Sequence, residues 1–160
     1  MMSIRSMSRP VVRLWLMLGF VCLSTGCSTF RQDWESSRCY SPPQQSIEGC
    51  WEGTWESAVN GHHGTLRAIV SRYDDNNYHA RFHATFLRVL PYEFDTPLSA
   101  TQSGNVITLN GQTDLGWLAG GVFTYEGQAD EHELNCNYCA AKDHGSFHLR
   151  RVGPVCESCD

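Results

Sequence analysis

Cysteine is the residue type with the most chemistry to offer in this chain. Cys136-x2-Cys139 and Cys156-x2-Cys159, 16 residues apart, have the spacing of a four-thiolate zinc site. Geometry argues against a metal there. Cys136 and Cys139 fall in a segment that alternates as a strand, so their side chains point to opposite faces, and no glycine lies between Asn135 and Ala140 to turn the chain. Three strand steps also hold their α-carbons about 10 Å apart, too far for a disulfide between the two. In an exported chain such thiols oxidise. The expectation is therefore no metal, with disulfides from Cys39 or Cys50 to the C-terminal cysteines Cys136, Cys139, Cys156 and Cys159; the zinc site on the last four is the alternative.

Histidines and acids offer less. His79 and His83 share a strand face but stand about 13 Å apart, and Arg81 between them repels a cation. His62 and His63 sit together in a loop, and His132, His144 and His148 meet only if the last hairpin pairs suitably. All seven read as surface histidines. No Gly-x-Ser-x-Gly elbow surrounds a serine, and no phosphate-binding glycine loop appears. Glu52 and Glu56 fall on a wet strand face, while Glu93 and Asp95 accompany Pro91 and Pro97 as edge-strand charge. Neither catalysis nor a cofactor is expected.

The first residues supply an address. Arg5, Arg9 and Arg13 precede an apolar run from Leu14 to Leu23, followed by Ser24-Thr25-Gly26-Cys27. A basic start, a short apolar segment and small residues at a cleavage site make a helical signal peptide over residues 1–26. The run is about half the ~20 apolar residues that a spanning helix needs. Small residues up to Gly26 followed by Cys27 resemble a bacterial lipobox, with Ser24 standing where Leu is usual. That resemblance implies acyl chains on Cys27 and attachment to a membrane of the cell envelope; plain secretion, with Cys27 as one more disulfide cysteine, is the alternative. Taking the three leader arginines from twelve basic residues leaves nine against 17 Asp and Glu, a net charge of −8. Such a surface is repelled by phosphate backbones, so nucleic acid is not an expected partner.

Residues 27–48, with Pro42-Pro43 and many Ser and Gln, read as a tether. The elements begin at Gly49. Gly49-Cys50-Trp51-Glu52-Gly53-Thr54-Trp55-Glu56-Ser57 places Trp51 and Trp55 on one face of a strand, with Gly53 between them. Thr65 to Arg72 alternates, and Tyr78 to Phe86 does so most cleanly: Tyr78, Ala80, Phe82, Ala84 and Phe86 face inward. Large residues alternating with small ones suit a tapering barrel interior. Val89 to Leu98 is broken by Pro91 and Pro97, as in an edge or bent strand. Asn110-Gly111 after Val106–Leu109 is a hairpin signal. Trp117 and Leu118, in a glycine-rich connection, are expected to pack on the barrel end rather than to form a lip at a ligand mouth. Alternation resumes from Phe123 to Gly127, from His132 to Tyr138 and from Ser146 to Arg151. Short strands at regular spacing predict an all-β antiparallel meander over residues 49–152, with a cysteine-bearing tail at 153–160. The sheet closes into a small barrel of about 8–9 strands, with a β-sandwich as alternative.

A Gly-x-Trp pair on the first strand and an Arg ending the last resemble the calycin pattern of lipocalins and their relatives. The Trp-Glu-Gly-Thr-Trp wording is also similar to the opening strand of avidin-like barrels. The aromatic and glycine rhythm further resembles a family of uncharacterised short exported bacterial proteins, which implies no activity. The calycin resemblance implies that the indole of Gly49-x-Trp51 or Gly53-x-Trp55 closes one barrel end under the cation of Arg151 or Arg150. The expected role is binding. If a small apolar molecule or lipid sits inside, Trp51, Trp55, Tyr78, Phe82, Phe86 and Phe123 line an open cavity. If the barrel is instead an envelope scaffold that meets a protein partner, the same residues fill it, and aromatic density favours filling.

Overall fold

A computed structural model of the chain describes residues 26–87, 89–117 and 120–154, with side chains from 29 onward. Residues 1–25 of the segment read as a signal peptide, the side chain of Cys27, Leu118, Cys156 and Cys159 lie outside these residues. One helix, α1 (Gly26–Ser37), precedes eight strands: β1 (Gly49–Ser57), β2 (His63–Arg72), β3 (Asn77–Phe86), β4 (Leu90–Ser103), β5 (Val106–Asp114), β6 (Val122–Ala129), β7 (Glu133–Ala140) and β8 (His144–Arg151). Consecutive strands pair antiparallel and β8 pairs back onto β1, closing a barrel. That last pairing excludes the sandwich. A closed antiparallel barrel of eight strands is the architecture present.

Closure follows from β1. Its period of two sends Trp51 and Trp55 inward and leaves Glu52, Thr54 and Glu56 in solvent. Gly53 lets β8 come close, since a Cβ there would collide with the carbonyl of His148. On β3 the large–small order holds: Tyr78, Ala80 and Phe82 are buried in the core and Ala84 packs against it. Leu66, Leu109, Leu134 and Leu149 complete the interior from β2, β5, β7 and β8.

Two local expectations give way to tertiary context, and a third holds. Asn110-Gly111 is not a turn; it lies inside β5, where Gly111 admits the Leu98 side chain, 2.6 Å from where a Cβ would stand. The turn that ends β5 falls later, between Leu115 and Gly121, where Gly116 and Gly121 take φ of 81° and 86°, a conformation a glycine adopts freely. Within the tether segment, residues 26–37 are helical, with buried Phe30 and Trp34 four positions apart. Finally, β4 is long and only half flanked. Its ladder to β5 runs from Leu98–Gly111 to Ser103–Val106, whereas Leu90–Pro97 pairs with β3 alone. Pro91 and Pro97, which carry no N–H, stand on that margin as the bent-strand reading required.

One barrel end is shut. Residues 46–48 cross it, with Ile47 fully buried and accepting a 2.9 Å hydrogen bond on its carbonyl from Trp51 Nε1. Glu48 receives Arg72 Nε at 2.7 Å and the hydroxyls of Ser46 and Tyr40 at 3.0 Å each. Burial opposes ionisation of Glu48, but hydrogen bonds from Arg72, Ser46 and Tyr40 outweigh it and hold the carboxyl below its usual range. A depressed carboxyl contributes stability above its unfolded value, near pH 4.3, and loses it as pH falls through the folded value. Denaturant titrations from pH 6 down to about pH 3 should show that loss, and Glu48→Gln should flatten it. An equally steep curve in the variant would assign the effect to other carboxyls.

Candidate functional site

The indole of Trp51 is fully buried, and the guanidinium carbon of Arg151 lies 4.2 Å from its ring centroid. Arg151 also donates to the backbone carbonyls of Ser46, Glu48 and Glu131. Strand β8 thereby locks the crossing segment onto the barrel floor. Arg150, one residue earlier, is exposed and faces Glu133. The structure brings together Trp51 and Arg151; Trp55 lies four residues further along the same face of β1.

The other end, formed by the β1–β2, β3–β4, β5–β6 and β7–β8 connections, opens into a cavity of 540 Å³. It is lined by Trp55, Phe86, Leu90, Pro91, Tyr92 and Leu115, together with Phe94, Phe123, Tyr125, Tyr138 and Phe147. Six residues named from sequence thus divide. Trp55, Phe86 and Phe123 line the cavity, while Trp51, Tyr78 and Phe82 are packed core. Open space thus remains among three of the six, while the other three are packed. The cavity reaches the half-flanked part of β4, where Tyr92 Oη spans to the Leu115 carbonyl at 3.4 Å.

Sequence reading missed the polar group at this end. Asp143 accepts from Ser57 Oγ at 2.5 Å and from Tyr138 Oη at 3.2 Å. Ser57 is buried, and its own oxygen accepts the backbone N–H groups of Val59 and Asn60. Burial first, then the Asp143 charge, push the Tyr138 phenol up to about 12, so it remains a donor at neutral pH. Ser57 and Asp143 lie 86 positions apart, and only the wrap of β8 onto β1 joins them. Asp143 is the one charged side chain of the lining among the described residues.

Tyr125 differs. Its hydroxyl is enclosed without a hydrogen bond, and burial drives its pKa upward. Thr96, which accepts from Thr113 at 3.0 Å, lies close enough to the phenol to moderate that rise. A buried unmade hydrogen bond costs about 1–3 kcal/mol. Tyr125→Phe is accordingly expected to stabilise the fold by about 1 kcal/mol, read from the denaturant midpoint at unchanged slope. A loss of stability would show that the hydroxyl has a partner.

Of the expected disulfide partners, Cys156 and Cys159 lie outside the described residues. Cys50, Cys136 and Cys139 are free thiols. Cys50 is turned under the Trp34 carbonyl, its sulfur 3.9 Å from the oxygen, rather than bridged to a C-terminal cysteine. Cys136 is buried inside the barrel and Cys139 is exposed outside, so the two cannot share a zinc ion. Burial holds the Cys50 thiol up at about 11 and that of Cys136 up at about 12, which keeps both protonated and poor as ligands. Cys39 is exposed. Among the histidines, His79 lies 3.7 Å from Asp95, His148 meets Asn135 at 2.7 Å and His62 stands edge-on to Phe86.

The sequence matches no protein-family model and no curated protein. Among solved structures, the barrel is similar to a de novo designed fluorescence-activating β-barrel, at 14% identity and a TM-score of 0.47, over 73% of this chain and 97% of that one. It is also similar to a mutant of the fluorescent protein UnaG, at 11% identity and a TM-score of 0.38, over 69% and 97% of the two chains. Closure of the present barrel stands on its own β1–β8 ladder.

Proposed function

We propose that this chain is a binding barrel whose upper cavity holds a small aromatic or apolar molecule, uncharged or cationic, and that it acts outside the cytoplasm, held to a membrane through acyl chains on Cys27. The cavity carries the reading: 540 Å³ of room above a packed floor, in the size range of small-molecule sites. Rings at Trp55, Phe86, Tyr92 and Phe123 offer faces for stacking, and such faces also attract cations. The lining's charge is the Asp143 carboxylate, set in a net-acidic chain, which disfavours carboxylate ligands such as fatty acids. Export and anchoring rest on Arg5 to Arg13, the Leu14–Leu23 run and Cys27.

The test is a fluorescence titration with three dyes: neutral Nile red, a cationic rhodamine ester and anionic anilinonaphthalene sulfonate. The neutral or cationic dye should bind with a blue-shifted or enhanced emission, about tenfold or more tighter than the anion. Equal weak binding of all three, or preference for the anion, would overturn the reading.

A further inference from the structure

Apolar side chains that water should not meet are gathered around the cavity mouth. Trp117, on the β5–β6 connection, is 83% exposed, and Val89, on the β3–β4 connection, is 74% exposed. Leu87 and Leu90 flank Val89, Val122 opens β6 and Val59 caps the β1–β2 turn; each is exposed. At the shut end, the large exposed apolar residues of the turns are Tyr73 and Val106. The sequence expectation that Trp117 packs onto the barrel end therefore fails: the indole projects into solvent.

Leu87 adopts φ of 50°, a conformation that non-glycine residues rarely take, at the turn that presents this pair of apolar tips. Exposed apolar patches at a rim mark contact surfaces. These tips come from three separate connections around an opening rather than from one continuous groove. A fluid apolar phase accommodates such scattered tips; a protein partner would need a matching socket for each. Indole also prefers the boundary between lipid headgroups and acyl chains. The N-terminal apolar run and Cys27 independently direct this chain to a bilayer. Charge near the mouth is mixed, with Lys142 beside Asp143 and Asp114 near the β5–β6 connection, which suits a zwitterionic surface better than an anionic one.

We infer that the open rim of the barrel, tipped by Trp117, Val89, Leu87 and Leu90, docks onto a zwitterionic lipid surface with the cavity mouth facing the acyl chains. An apolar ligand then passes between bilayer and cavity without crossing water. That passage rests on the binding role proposed above, and the choice of a bilayer as the docking partner leans on the anchoring proposed with it.

The experiment uses the full chain and phosphatidylcholine vesicles whose acyl chains carry bromine, a short-range quencher of indole emission. Subtracting the signal of Trp117→Phe from that of the wild type isolates Trp117. Docking predicts that brominated vesicles quench the Trp117 component by about half or more and unbrominated ones shift it to the blue. Val89→Asp combined with Leu87→Asp should reduce that quenching about tenfold at equal lipid, given the transfer cost of two charged tips. Vesicle binding with Trp117 unquenched would mean attachment through the N-terminus alone and would overturn the proposal. So would quenching indifferent to the double substitution. A parallel Nile red titration without vesicles reports the cavity: dye binding with an unquenched Trp117 removes the docking and leaves the container, and the converse removes the container and leaves the docking.

Discussion

Trp51→Ala is expected to cost about 4 kcal/mol of unfolding free energy, within the 3–5 kcal/mol typical of emptying a buried Trp site. The indole is fully buried, supports the Arg151 cation and donates to the Ile47 carbonyl, so its loss unfastens the floor as well as emptying it. Against a total of about 5–15 kcal/mol, that is a large fraction, and soluble yield should fall. Trp51→Phe, which keeps a ring face but not the N–H donor, should cost about half as much and remain measurable. Trp55→Ala supplies the contrast. Its ring is only partly buried and borders open cavity, so about 1–2 kcal/mol is expected. Urea denaturation of the three variants settles the order. Trp55→Ala as damaging as Trp51→Ala would show that the two indoles share one structural role.

Ala84→Trp makes the opposite test, at the cavity. Enlarging a residue in a packed core strains its neighbours by about 1–3 kcal/mol. Ala84 borders 540 Å³ of open space, so an indole there has somewhere to go. The variant should keep its thermal midpoint within about 3 °C or raise it, while losing neutral-dye affinity by about 100-fold. Retained affinity would place the dye elsewhere on the molecule. A collapsed midpoint would show that the space is not available in solution, and that outcome counts against the container as well.

How far the sequence could reveal this arrangement depends on the range of the interactions. Periodicity is local, and it located β1 and β3, the inward set Trp51, Trp55, Tyr78, Ala80 and Phe82, and the regular spacing that a meander needs. Asn110-Gly111 misled because dipeptide turn preference is weak beside the gain from continuing β5 against both β4 and β6. Helix α1 was hidden in a Ser- and Gln-rich stretch; the spacing of Phe30 and Trp34 was the available signal. The cavity lay beyond reach for another reason. Alternation says which side chains point inward, but whether they meet depends on barrel radius and strand stagger, set by the closing register. Ser57 and Asp143 belong to the same class, since no short-range pattern links residues brought together by a chain closing on itself.

The unaccompanied stretch Leu90–Pro97 has a consequence for how copies of this protein behave at high concentration. A strand with a bare flank is a template onto which a second molecule can be zipped, the first step toward fibres. Here Pro91 and Pro97 remove an amide at either extremity of that flank, and the intervening Glu93 and Asp95, facing Arg81 and His79 on β3, place charge along it. The gap that loosens the barrel wall is thus guarded against self-recognition. Exchanging both prolines for threonine would be the direct way to unleash polymerisation.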